Sequence, residues 1–157
     1  LPEVDAELPR WAAGNLIQVL PAPRTALPAD AGGIDTSVRR EVLPGLWVAG
    51  MTWRVEEGAL QVDVYWEARA ALEPATVSLR PLAGDAYLPT EEGGIVAQDH
   101  RPAWNAYPFE RWGVGEVVRD TFIVPLPAGA APDGVEIVLY RPADGTDTLA
   151  TVRLRLR

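Results

Sequence analysis

One histidine, His100, sits in the run Gln98-Asp99-His100-Arg101 and supplies the sole imidazole for metal ligation or proton transfer. Acids at Asp85, Glu91 and Glu92 come within its reach if their loops converge, but a metal centre needs more ligands. The chain has no second histidine and no cysteine to give them. The expectation is therefore a loop histidine hydrogen-bonded to a neighbour, with no metal. Acidic loops such as Glu91-Glu92-Gly93-Gly94 lack the ordered spacing of a calcium loop. All 14 basic residues are arginine, which removes lysine as a Schiff-base former or general base. Ser37 and Ser78 are the only serines, and neither lies in a G-x-S-x-G elbow. Glu116 and Asp120 are four residues apart, which on a strand separates them by about 13 Å, beyond the spacing of a glycosidase carboxylate pair. A turn leading into a strand at Glu116 and a salt bridge or backbone cap at Asp120 are the simpler uses. No catalytic residue and no cofactor is assigned.

Aromatic residues give the stronger lead. Trp104, Tyr107, Phe109 and Trp112 crowd an aperiodic stretch that also holds Arg101, Asn105 and Arg111. Flat aromatic faces beside planar polar donors suit a sugar, whose C–H faces stack while its hydroxyls take hydrogen bonds. Trp104, Asn105, Tyr107, Arg111 and Trp112 are thus the candidate ligand-binding residues. The competing use is packing: so long a loop is ordered by burying its own aromatics over the domain. Trp47, Trp53 and Trp66 share positions with Val and Leu and are expected in the core.

These residues must be positioned by strands. Trp47, Ala49, Met51, Trp53 and Val55 fall on one side of an extended segment, and a turn at Glu56-Glu57-Gly58 follows. Leu60, Val62, Val64 and Trp66 then alternate with Gln61, Asp63, Tyr65 and Glu67. Further strands are expected at residues 75–82, where Pro81 suggests an edge or an end, and near 95–98 and 116–124. The apolar run 135–140 predicts a central strand, and 149–157 puts Val152, Leu154 and Leu156 inward with arginines outward. Helical periodicity is lacking. The fold class expected is all-β, an antiparallel β-sandwich, immunoglobulin-like or jelly-roll-like, of roughly seven to eight strands.

Composition agrees with one such domain. The 157 residues are 48% hydrophobic and 23% charged, and 14 Arg against 22 Asp and Glu give a net charge of −8. An acidic surface repels phosphate backbones, so nucleic acid is not an expected partner. No apolar stretch approaches the roughly 20 uncharged residues of a membrane-spanning helix, so direct membrane insertion of this segment is not expected. Residues 1–41 are rich in Pro and Ala and read as a leader or linker with at most one strand, near residues 16–20, ahead of a sandwich over 42–157. The first residue is Leu1 and no signal-peptide pattern follows, the expectation being a segment of a longer protein.

From Gly58 to Gly145 the order of features resembles a known family. Leu60-Gln61-Val62-Asp63-Val64-Tyr65-Trp66-Glu67-Ala68 is similar to the "L-x-V-x-L-Y-W-x-A" strand in soluble C-terminal domains of bacterial membrane glycosyltransferases that resemble the dolichyl-phosphate-mannose protein mannosyltransferases. Gly94-Ile95-Val96-Ala97-Gln98-Asp99 resembles their "G-x-x-V-A-Q-x-D", with the acid following Gln98 directly where the family has a spacer. Trp112-Gly113-Val114-Gly115-Glu116-Val117-Val118-Arg119-Asp120 resembles "W-x-x-G-E-x-x-x-D", Pro125 the proline closing that strand, and Val138-Leu139-Tyr140 the last "G-L-Y" strand. Pro132-Asp133-Gly134-Val135 departs from the family's "P-x-G-x-Y".

The resemblance implies a periplasmic or cell-surface β-sandwich tethered through a membrane protein. Because that family's catalytic acids lie in its membrane-embedded part, it implies no catalytic residue here. The function expected is a non-catalytic accessory domain, structural or interacting, with the membrane-embedded part of the same polypeptide as partner. The alternative is a carbohydrate-binding module whose loop 101–115 takes a glycan or polyprenyl-linked sugar.

Overall fold

Alternation of side chains decides which surface each strand buries. Leu60, Val62, Val64 and Trp66 are fully buried, while Gln61, Asp63 and Glu67 between them stay partly open. The computed structural model describes residue 27 and residues 33–141 and 147–157, so the patch at 16–20 and the Asp144-Gly145 pair, whose residue types predict a turn, lie outside the described residues.

The described residues form nine strands: β1 (Arg40–Leu43), β2 (Leu46–Glu56), β3 (Ala59–Ala68), β4 (Thr76–Ala83), β5 (Ala86–Tyr87), β6 (Gln98–His100), β7 (Val117–Pro125), β8 (Gly134–Tyr140) and β9 (Thr148–Arg155). There is no α-helix among them, hence none long and apolar enough to cross a membrane. One sheet runs β1-β2-β3-β7 and the other β5-β4-β8-β9, with β6 also on β4; all pairings are antiparallel. The all-β sandwich is therefore the fold.

Between the sheets lies one core. Val48, Met51, Val64, Trp66 and Phe122 from the first sheet meet Val77, Leu79, Ile137, Leu139 and Leu154 from the second. β8, flanked by β4 and β9, buries every residue except Tyr140, as its unbroken apolar run implies. Pro81 sits within β4 between the stretches that β6 and β5 cover, where neither adds a ladder. The β2–β3 turn has φ of 51° at Glu57 and 74° at Gly58, the twist a two-residue hairpin needs.

Of the three tryptophans expected inside, Trp66 alone is in the core. A bulge between Val48 and Gly50 adds one residue to β2 and reverses its phase, so Trp47 faces outward opposite Glu67. There it lies under Arg69 and Arg39, whose guanidinium carbons are 4.4 and 5.2 Å from its ring. Trp53 keeps the inward phase opposite Val62 but is 36% exposed. β1 pairs β2 only at Leu46–Val48, so among the described residues no strand lies beside Trp53 on the far edge of β2. The Trp53 indole N–H donates instead to the Arg157 carbonyl at 3.0 Å.

The sandwich also reaches upstream of residue 42. β1 begins at Arg40, Val38 is buried in the core, and Asp35 exchanges two backbone hydrogen bonds with Met51. On the outer face of the first sheet Leu27 and Ile34 cover Tyr65 and Val117, making a second, smaller apolar cluster. Ile34 comes so close to β2 that a Cβ on Gly50 would stand 2.4 Å from its Cγ2.

Candidate functional site

The aromatic stretch links β6 of one sheet to β7 of the other, and its backbone enters by an unusual turn. Ala103, Trp104 and Asn105 all have positive φ, at 53°, 52° and 68°. Asn tolerates this region, but Ala and Trp are destabilised there by about 1–2 kcal/mol each. Contacts on all sides hold them. The Ala103 N–H donates to Asp120 Oδ1 at 3.1 Å, the Trp104 indole N–H to the Thr121 carbonyl at 3.2 Å, and Arg101 to Asn105 Oδ1 at 3.0 Å.

His100 lies at the centre of this arrangement, on β6 rather than in a loop. Its Nε2 is 2.9 Å from Asp120 Oδ1, its ring is stacked on Trp104 at 4.2 Å, and Phe122 lies against it at 4.3 Å, tilted by 33°. Both partners are buried, and His100 Nδ1 and Asp120 Oδ2 have no hydrogen-bond partner among the described residues. The hydrogen-bonded neighbour expected for the histidine is thus Asp120, twenty positions away and on another strand. Among the described residues no group of three or more His, Asp or Glu is placed to hold a metal ion.

Next to this pair the loop closes on itself. The Tyr107 hydroxyl meets both Glu116 oxygens, at 2.6 and 2.9 Å, and the Gly113 N–H donates to Glu116 Oε2 at 2.9 Å. Burial, and then the Glu116 carboxylate, push the Tyr107 phenol well above its ordinary range. The Trp112 indole N–H donates to the Tyr107 carbonyl at 2.7 Å. Trp112 packs edge-on to Phe109 at 4.7 Å, and Phe109 edge-on to Trp66 at 5.7 Å, so a file of rings runs from the loop into the core. Arg101 pairs with Glu110 across the outside of the loop. Burial opposes ionisation of Glu110, but its own backbone N–H and Arg101 outweigh that and lower its pKa.

The five candidate ligand-binding residues separate into two groups. Trp112 is buried and Tyr107 half-buried, each with its polar atom used within the loop. Trp104 is half-buried, and Asn105 and Arg111 are exposed. The carboxylates weighed as a glycosidase pair go to separate partners, Glu116 to Tyr107 and Asp120 to His100, and nearby Asp99 accepts from the Tyr140 hydroxyl at 3.1 Å. A shallow groove of about 170 Å³ at the same end of the sandwich, lined by Leu43, Leu46, Leu72, Phe109 and Leu149, gave no signal in sequence because four separate segments build it.

Gln98 is the residue that sequence reasoning overlooked. Its amide nitrogen donates to the Ile123 carbonyl and its amide oxygen accepts from the Ile123 N–H, both at 2.7 Å. A side chain on one sheet here completes the backbone of the other.

Comparison with known protein families, curated proteins and solved structures finds no match to this chain. Several residues of the motifs quoted from the sequence lie in this region. Gln98, Trp112, Glu116 and Asp120 occupy defined positions of those motifs, and each makes one of the bonds described above.

Proposed function

We propose that this chain is a non-catalytic, extracytoplasmic accessory domain of a bacterial membrane glycosyltransferase-like protein, acting as a rigid structural or interaction module beside the membrane-embedded part. One observation carries the reading. The polar side chains of the resembling motifs are spent on the chain itself: Gln98 on Ile123, Glu116 on Tyr107 and Gly113, and Asp120 on His100 and Ala103. Groups so engaged fix a loop and join two sheets; turning them toward a substrate would break the bonds that hold them.

The reading is tested in membranes carrying the full-length protein. Deleting residues 33–157 is expected to lower the amount of inserted protein while sugar transfer per inserted molecule stays within about twofold. Loss of transfer by orders of magnitude at unchanged insertion would show that the domain takes part in the chemistry.

A second use, recognition of a glycan or polyprenyl-linked sugar, is favoured by one feature. Half-buried Trp104 sits beside exposed Asn105 on a turn fixed from three sides, with exposed Arg111 in the same loop. Titration with oligosaccharides, read by calorimetry and tryptophan fluorescence, decides it: heat that vanishes in Trp104→Ala supports the use, and silence in the wild type removes it.

A further inference from the structure

Two kinds of aromatic residue share the loop between β6 and β7. Phe109 and Trp112 are 1% and 5% exposed and run into the core, so they suffice to pin the loop down. Trp104 does not serve that end. It is half-buried, and its backbone and that of Ala103 take the left-handed region, at φ 52° and 53°. Such strain persists only where the surroundings enforce it, and it clusters at ligand sites. What it secures here is one orientation of a flat ring. The indole N–H donates to the Thr121 carbonyl at 3.2 Å, and one face lies on the His100 ring at 4.2 Å, 8° from parallel. Because His100 is buried, the other face of the indole points away from the core. A ring already fixed in this way loses little freedom when a ligand stacks on it.

Charge is arranged beside that ring. Arg101 ties the turn to the far end of the loop, donating through Nη1 to Asn105 Oδ1 at 3.0 Å and pairing through Nη2 with Glu110. Asn105 and the Glu110-Arg111 step therefore stand on either side of one guanidinium. The Asn105 amide nitrogen makes no bond among the described residues, and exposed Arg111 has no carboxylate within ion-pair distance among them. Glu110 is matched by Arg101, so Arg111 remains as an uncompensated positive charge. The chain's net charge of −8 does not cancel it from afar, since at 0.1 M salt charges are screened over about 10 Å and the nearest groups decide which ions collect.

We propose that this end of the loop binds an anionic sugar: the sugar ring stacks on the free face of Trp104, a hydroxyl accepts from the Asn105 amide, and a carboxylate or phosphate on the sugar takes the fork of Arg111. The proposal rests on the sugar-recognition use given above and adds the charge of the ligand to it. Arginine presents planar, paired donors that match either anion, whereas a neutral sugar leaves that fork in water. Trp104 selects for a ring, and Arg111 for its charge.

The test titrates the whole chain, by calorimetry and tryptophan fluorescence, with short oligomers of glucuronate, galacturonate and mannuronate, with the methyl esters of the same oligomers, and with hexose phosphates and the free hexoses. An anionic probe is expected to bind about tenfold or more tighter than its uncharged counterpart at low salt, an advantage that shrinks toward about 1 M salt. Arg111→Gln is expected to erase the advantage and leave the uncharged probe's affinity within about twofold, because Arg111 makes none of the bonds that hold Trp104. Trp104→Ala is expected to abolish binding of both. Binding of uronates identifies the ligand as an acidic glycan, and binding of hexose phosphates alone as a phosphate-linked sugar; either supports the proposal. Equal affinity for charged and uncharged probes, or an advantage that survives Arg111→Gln, overturns it while leaving sugar recognition in place. Silence with every probe removes both.

Discussion

His100 and Asp120 meet at 2.9 Å inside the sandwich, each with its second polar atom buried and unpartnered among the described residues. Such a pair is more costly to halve than to remove. Asp120→Ala strands His100 Nε2 and the Ala103 N–H together and is expected to destabilise by about 3 kcal/mol or more. The double variant His100→Phe, Asp120→Leu removes both polar partners and is expected to lose less than Asp120→Ala alone. Urea unfolding of the three proteins measures this; a double variant at least as damaged as the single one contradicts it.

Tyr107 governs an alkaline limit. Its phenol is raised by burial and by Glu116, so the folded chain keeps that proton above pH 10.0, where the unfolded chain gives it up. The unfolded state then binds fewer protons than the folded one, and stability falls as pH rises past the ordinary tyrosine value. Below it the contribution is complete. Tyr140, raised by burial and then by Asp99, adds in the same direction. Melting temperatures from pH 8 to 11 are expected to fall less steeply in Tyr107→Phe, although its starting value is lower because Glu116 loses its hydroxyl partner.

Gly50 and Ile34 form a steric couple. A methyl group at position 50 would stand 2.4 Å from Ile34 Cγ2, so Gly50→Ala is expected to cost about 1–3 kcal/mol. Shortening the neighbour relieves the clash. In the Ile34→Ala background the same change is expected to cost less than half as much, a coupling that a double-mutant cycle reads directly.

Glu57 supplies a gain. It occupies a left-handed position, φ 51°, in the β2–β3 turn, where asparagine or glycine is at ease and glutamate is not. Glu57→Asn is expected to raise stability by about 0.5–1 kcal/mol without altering the sheet spectrum. An unchanged or lower denaturation midpoint would count against the turn geometry.

Where burial alone dictates a pattern, the sequence is readable. β3 and β8 stand where alternation and an unbroken apolar run place them, and Gln98–His100 forms a strand close to the one expected at 95–98. Trp47 shows what alternation misses: one added residue in β2 sets its two halves out of phase, so Met51 and Trp53 keep the inward side while Trp47 does not, and no composition signal marks a bulge. The short β5 has too few residues for any period. Within the candidate site, the crowd of aromatics was visible as a loop able to pack itself down. The His100–Asp120 and Gln98–Ile123 bonds were not, because both depend on β6 of one sheet lying alongside β7 of the other. Neither spacing nor residue type in one dimension conveys that adjacency.

The small lid of Leu27 and Ile34 over Tyr65 and Val117 has a practical corollary for anyone trimming this chain. A fragment opened at residue 42 would begin inside β1 and leave a tyrosine ring and a valine bare on what had been a sheltered patch. Such a fragment should be stickier and softer than its parent. The working unit therefore includes Leu27 and Ile34, which lie in the stretch that composition alone would discard as a tether.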